Sequence, residues 1–292
     1  MQISLIEQLL LFIMVFGLML AVGCSLRLRE VVELKNQRKE FHLALFLQYL
    51  MMPFWAIALA YLLGLSSGGA LVLLLIACCP GGAVSNMFSY FSGGNVSLSL
   101  ALTSLTSLLS FFMTPFLLAL YAQSMRVEIP FLNIFATVSI ALFPILVGVF
   151  IQFYFPSIKK QVKKTGTLMG YIGIGLMFVI WTPRVFNIYI QGPKSTFFAI
   201  GLLSLIGISF AFVFSRLLQT QLEESRTLAL ETGIQNAPLA FILVQLNLPS
   251  EVVAQYGWIP LVYGGLSVGS AFLFTLSQKL SSRKLAIIKT TI

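Results

Sequence analysis

Aspartate is absent from the 292 residues, histidine occurs once, and only 9% of the chain is charged. Without aspartate, without a His-Glu-x-x-His run and without two carboxylates inside one apolar stretch, the chain offers little to an intramembrane enzyme. The single histidine, His42, has no companions at metal-ligand spacing and is expected at a membrane interface. Cys24, Cys78 and Cys79 all fall in apolar runs, and an odd number placed there gives no reason for disulfides or a zinc site. What the sequence does have is apolar surface. With 58% hydrophobic residues and a mean hydropathy of +0.96, a water-exposed fold could not be covered with polar groups. The expected class is an all-α polytopic membrane protein. In a soluble chain the net charge of +9 would suggest nucleic acid, but in a membrane chain it is first assigned to loops.

Nine apolar stretches are long enough to cross about 30 Å of hydrocarbon. They run over about 5–26, 41–64, 69–91, 96–122, 130–154, 166–186, 195–216, 226–247 and 251–278. The first has its charge after it, at Arg27, Arg29, Lys35, Arg38 and Lys39, opposite to the flanks of a signal peptide. An external N-terminus then puts those five residues inside, together with Lys159, Lys160, Lys163, Lys164, Arg216, Arg226, Lys279, Arg283, Lys284 and Lys289. Only Arg126, Arg184 and Lys194 remain for the outer side. The bias supports nine spans with an external N-terminus and a cytoplasmic C-terminus; the expected location is the cell (inner) membrane. The charge is therefore topology, with anionic lipid and not nucleic acid as the expected partner.

Two of the spans contain unfavourable sequence. In the eighth, Glu231-Thr232-Gly233-Ile234-Gln235-Asn236-Ala237-Pro238 places a carboxylate, a glycine, two carboxamides and a proline between apolar runs. Proline removes a helical N–H and disfavours helix at the residue before it. In the third, Cys78-Cys79-Pro80-Gly81-Gly82-Ala83-Val84-Ser85-Asn86 repeats the pattern. Broken helices are expected at 80–86 and 231–238. The two spans lie five apart, so they cross in opposite directions, and spans one to four and six to nine would be inverted repeats around an unpaired fifth. Freed carbonyls and polar side chains at a break can serve a cation. The alternative is a pair of kinked helices whose polar residues only hold neighbours together. In the fourth span Ser99 and Thr103, four apart, share a helix face and could present two hydroxyls to one ion, or could bond back to their own helix. Gln48, in the second span, fits an ion site or interhelical glue equally well.

At these residues the sequence resembles the bile acid:sodium symporters, the solute carrier 10 family. The resemblance covers nearly the whole chain and is carried by Cys78-Cys79-Pro80-Gly81-Gly82 with Ser85-Asn86, Gly94-Asn95-Val96 leading to Ser99 and Thr103, Thr114-Pro115, and Leu230 to Asn236. It implies two unwound helices crossing at the membrane centre, in a core domain packed on a smaller panel domain. On this chain the panel would be 1–35 and 125–190, the core 36–124 and 191–280, and the cytoplasmic tail 281–292. It further implies two sodium ions. The first would use Ser85, Asn86, Ser99, Thr103 and Glu231; the second Glu231, Gln48, Gln235 and the backbone oxygens of Thr232 and Ile234.

The expected activity is sodium-coupled symport of an organic anion by alternating access. Pantoate- or pyruvate-class carboxylates, sterol sulfates and bile acids are the substrate classes that the resemblance implies. Substrate would lie near Asn236, Ala83, Ser85, Gly264 and Gly265. The family commonly has threonine at the position of Ala83, and some members have a His-Asn pair near Gly264-Gly265, so the substrate itself is not specified. The chain resembles the nine-span form of a family that also has ten-span members. Proton coupling through Glu231 is the alternative within this fold, although a proton carrier has no use for the surrounding hydroxyls and amides. A channel would need a charged ring or a carbonyl filter, and neither is visible.

Overall fold

The computed structural model describes residues 4–25, 38–122, 131–191 and 193–291. Arg27, Arg29, Lys35 and Arg126, which enter the charge bias, lie outside them. Every regular element in the described residues is a helix: α1 (Leu5–Ser25), α2 (Arg38–Leu62), α3 (Ser67–Ala77), α4 (Val84–Ser92), α5 (Val96–Ala122) and α6 (Phe131–Tyr154) make up the first part. They are followed by α7 (Pro156–Gln191), α8 (Lys194–Leu217), α9 (Leu222–Gly233), α10 (Ala237–Asn247), α11 (Ser250–Tyr256) and α12 (Ile259–Thr291). The protein is an all-α polytopic membrane protein. Among the described residues, five stretches are long and apolar enough to cross a bilayer singly: Arg38–Leu62, Val96–Tyr121, Leu132–Tyr154, Lys194–Leu217 and Ser250–Ser281. Shorter apolar helices, including Ser67–Ala77 and Ala237–Asn247, need their partners α4 and α9 to complete a crossing.

The helix boundaries differ from the sequence expectation in four places. The breaks span 78–83 and 234–236, not 80–86 and 231–238, so Ser85 and Asn86 open α4 and Glu231 closes α9. Pro238 explains part of the shift: it occupies the first turn of α10, where its missing N–H would have no helical partner in any case. Lys159, Lys160, Lys163 and Lys164, expected in a loop, lie on the opening turns of α7. The ninth stretch is interrupted at Gly257-Trp258, and α12 runs on through the expected tail. α2 has one π-helical turn, Leu47–Met51, which contains Gln48 and lies just before Pro53.

Two apolar clusters fill the interior. One gathers α3 and α10 with parts of α1, α2, α5, α6, α8 and α12, including Leu73, Cys79, Leu203, Phe241 and Tyr263. The other gathers α4 and α9 with the first turns of α2 and α5, including Leu43, Phe88, Leu102 and Leu228. α1 lies along α6 and α7 at very short range. A Cβ on Gly23 would come 2.1 Å from the Ile145 carbonyl oxygen, and one on Gly17 would come 2.8 Å from that of Gly166, so glycine is what permits these contacts.

Candidate ion site at the helix crossing

The two breaks meet. Gly82 N–H donates to the Ile234 carbonyl at 2.7 Å and Asn236 N–H to the Pro80 carbonyl at 2.8 Å, giving a short antiparallel pairing of Gly81 with Gln235. Each broken segment thus satisfies backbone groups that lipid could not. Gly81 and Gly82 permit the approach: a Cβ on Gly81 would sit 2.2 Å from Glu231 Oε1, and one on Gly82 would sit 2.8 Å from the Gln235 carbonyl oxygen.

The carbonyls left by each break are capped by the spans before and after it. For the first break, Thr114 Oγ1 on α5 donates to Cys78 O at 2.8 Å and Gln48 Nε2 on α2 donates to Cys79 O at 2.7 Å. For the second, Ser204 Oγ on α8 and Tyr263 Oη on α12 both donate to Gly233 O, at 2.8 and 2.9 Å. The two halves use the same device, as inverted repeats would. Reading the sequence did not identify Ser204 or Tyr263, because nothing distinguishes them from other polar residues in apolar helices. Thr114 stood only within the Thr114-Pro115 pair.

Around the crossing lies a buried oxygen-rich cluster. Ser85 Oγ donates to Glu231 Oε2 at 2.6 Å, and Thr103 Oγ1 donates to the same oxygen at 2.9 Å while lying 3.4 Å from Asn86 Oδ1. Glu231 is 3% exposed, and its other oxygen, Oε1, has no hydrogen-bond partner among the described residues. Ser99, one turn from Thr103, is fully buried, and its hydroxyl likewise has none among them. The back-bonding alternative does hold for Thr106 and Ser110, whose hydroxyls bond Thr103 O and Ser107 O, but not for Ser99 or Thr103. An unpaired buried polar atom costs about 1–3 kcal/mol, more if charged. A cluster of acceptors around a lone carboxylate oxygen has the character of a cation site.

A second group adjoins the first. Gln48 Nε2 donates to Gln235 Oε1 at 2.7 Å, and Gln235 Nε2 donates to Thr232 O at 2.7 Å. Gln48, Thr232, Ile234 and Gln235 therefore sit together, with Ile234 O held by Gly82. Gln48 acts as glue here, and its amide oxygen and the two carbonyls keep lone pairs for a cation.

The residues expected near substrate are only partly assembled. Asn236 caps α10 through Oδ1, which accepts from Leu239 N–H at 3.1 Å, and its Nδ2 lies 3.9 Å from Met19 Sδ on α1. A Cβ on Gly264 would stand 3.2 Å from Ala237 Cβ, whereas Gly265 has no described residue within 4 Å of its Cβ position. Ala83 is half-buried at the start of α4, and the Ser85 hydroxyl is committed to Glu231, so it groups with the ion cluster. Away from the site, His42 is exposed against Phe41, and the three cysteines are buried and unbridged.

Comparison with known proteins gives the chain's relatives. Residues 10–191 match the family model described as "Sodium Bile acid symporter family". The chain is 27% identical over 280 residues to a sodium-dependent organic anion transporter of Bos taurus, covering 94% of this chain and 73% of the relative. It is 28% identical over 277 residues to an ileal sodium/bile acid cotransporter of Oryctolagus cuniculus, covering 93% and 79%. It is 31% identical over 239 residues to "Probable sodium/metabolite cotransporter BASS1, chloroplastic" of Arabidopsis thaliana, covering 81% and 59%.

Proposed function

The chain belongs to the sodium bile acid symporter family, and from that premise we propose that it is a secondary transporter carrying sodium and an organic anion together by alternating access. It is a transporter and not an enzyme. The observation that carries the sodium reading is Glu231 Oε1, a buried carboxylate oxygen in a shell of neutral oxygens, with no hydrogen-bond partner among the described residues. Hard cations take such donors, and several at once.

The first ion is assigned to Ser85, Asn86, Ser99, Thr103 and Glu231. The second is assigned to Glu231, Gln48, Gln235 and the carbonyls of Thr232 and Ile234. One sodium neutralises Glu231, and a second leaves the crossing about one charge positive, which favours a monoanion beside the starts of α4 and α10. Ions then bind first, and their ligation orders backbone at the breaks. Asn236, Ala83, Gly264 and Gly265 form the substrate side, where Asn236 meets Met19 of α1. The moving bodies are a panel of α1, α6 and α7 and a core of the remaining helices. The basic ends of the helices face the cytoplasm.

Substrate classes are small carboxylates of the pantoate or pyruvate kind, sterol sulfates and bile acids. The test uses proteoliposomes with labelled pantoate and a labelled bile acid as probes. Uptake is expected to require an inward sodium gradient and to grow with inside-negative potential. One net charge per cycle is worth about 2.3 kcal/mol per 100 mV, roughly 50-fold in limiting accumulation. Uptake driven equally by potassium, or by a pH gradient without sodium, would contradict the proposal.

A further inference from the structure

Between the crossing and the basic ends of the helices, α4, α5 and α9 pack on one another and keep polar residues on a repeating stride. On α4 these are Ser85, Ser89 and Ser92; at and above the start of α5, Asn95, Ser99 and Thr103; on α9, Glu223, Thr227 and Glu231. Residues three or four apart share a helix face, so each helix presents a polar stripe that begins at the ion cluster.

Two atoms in this region lack partners. Ser89 Oγ and Ser99 Oγ are in residues with no exposure, and neither has a hydrogen-bond partner among the described residues. Nearby Ser92 bonds back to Ser89 O at 3.2 Å, the local alternative that Ser89 and Ser99 do not take. Glu231 Oε1, Ser99 Oγ and Ser89 Oγ are thus three buried oxygens without partners on three adjoining helices.

The stripe ends at a tight turn. Gly93 has φ +72°, and Gly94 leaves room for Thr227, whose Oγ1 would be 2.8 Å from a Cβ there. Thr227 Oγ1 donates to Asn95 O at 3.2 Å, and Asn95 N–H donates to Glu223 O at 3.3 Å. Arg226, itself buried, donates from Nη1 to Gly93 O at 3.3 Å and from Nε to Gln278 Oε1 on α12 at 3.1 Å. The turn is a stopper tied to α9 and, through Arg226, to α12, with a guanidinium beside it.

We propose that this oxygen-lined seam between α4, α5 and α9 is the path by which sodium leaves the crossing for the cytoplasm, with Ser99 of the first site at its inner end and Ser89 as the intermediate cation ligand beyond it. The proposal rests on the sodium reading above. From Glu231 to Glu223 is eight residues, about 12 Å of helix rise, too far for a bare ion to cross apolar packing. Hydroxyls and turn carbonyls along that distance substitute for lost hydration. The anion leaves on another face, where Asn236 meets α1, so the crossing separates the two exits. Arg226 holds Gly93 O and so keeps the turn closed over the seam, and releasing that contact opens it.

The test is thiol labelling of Ser89→Cys in sided membrane vesicles, with wild type as the blank for the three native thiols. The reagents are a cationic methanethiosulfonate (trimethylammonium) and an anionic one (sulfonate). The cationic reagent is expected to react from the cytoplasmic side about tenfold faster than the anionic one, and sodium in place of potassium to slow it. Equal rates for both reagents, labelling only from outside, or no labelling above the blank would overturn the path. If Ser89→Cys does not fold, Ser89→Ala decides. It is expected to keep the sodium-induced rise in melting temperature of wild type but to release bound radiosodium several-fold more slowly in rapid filtration into KCl. Release at the wild-type rate would overturn the path. If wild type itself shows no stabilisation specific to sodium, the failure belongs to the sodium reading and not to the path.

Discussion

Glu224 and Glu231 stand seven residues apart on α9 and show how surroundings divide one side-chain type between two tasks. Glu224, in the first turn, completes a capping box by accepting from Gln221 N–H at 3.2 Å. Partial burial pushes its carboxyl above the ordinary range, against the pull of that N–H, and the carboxyls of Glu40 and Glu223 push it further. A carboxyl raised in the folded state contributes stability at low pH that is lost as pH rises through the raised value. Glu224→Gln keeps an oxygen for the cap and removes the charge. It is therefore expected to match wild type near pH 4 and to melt higher near pH 8; a variant that melts lower at the higher pH would contradict this. Glu231 was legible as an anomaly in the sequence, because a carboxylate inside an apolar run needs a partner. Asn86, Gln48 and Gln235 entered the ligand sets only through the family resemblance, and Gln48 by itself fitted interhelical glue equally well. Ser89 was not legible, since a serine in a membrane helix ordinarily bonds its own backbone, and only the packed structure shows that this one does not.

At the scale of elements, Pro80-Gly81-Gly82 and Gly233 to Pro238 announced both helix breaks, but not how each would be closed. Their limits were misplaced because polar residues are not necessarily unwound residues: Ser85, Asn86 and Glu231 are helical and reach the cluster through their side chains. The closing caps make a specific expectation. Ser204 and Tyr263 donate to one carbonyl, so Ser204→Ala or Tyr263→Phe alone leaves Gly233 O with a donor. The double variant leaves it bare and should cost about 1–3 kcal/mol beyond the sum of the singles. Melting temperatures over the double-mutant cycle check this, and strict additivity would contradict it. Loops were misjudged where charge dominated the reading: the four lysines of 159–164 ride on α7, with Ile158 and Val162 as apolar residues of the same turns.

For the whole molecule, composition and the lysine and arginine bias were enough for an all-helical membrane protein with nine expected crossings. The family resemblance put α1, α6 and α7 in one panel, but the glycine contacts between them were not readable. Gly17, Gly23, Gly148 and Gly166 are scattered in sequence, and no spacing rule pairs them across helices. Their closeness predicts a contrast. Gly23→Ala forces a Cβ into the backbone of Ile145 and should lower the melting temperature markedly, by several kcal/mol of lost packing. Gly175→Ala on α7, with nothing within 4 Å, should be neutral or gain up to about 1 kcal/mol from helix propensity. Equal melting temperatures for the two would show that α1 does not pack as described.

If sodium binds at the crossing through Glu231, as proposed, it raises the stability of the folded state by mass action, about 2.7 kcal/mol at a hundredfold excess over Kd. The measurement is the melting temperature of detergent-purified wild type, Glu231→Ala and Asn86→Ala in NaCl and in KCl at equal ionic strength. A rise with sodium alone is expected in wild type and is expected to vanish in both variants. Identical curves in the two salts, with wild type but not Glu231→Ala responding to pH, would contradict the proposal and make a proton the coupling ion.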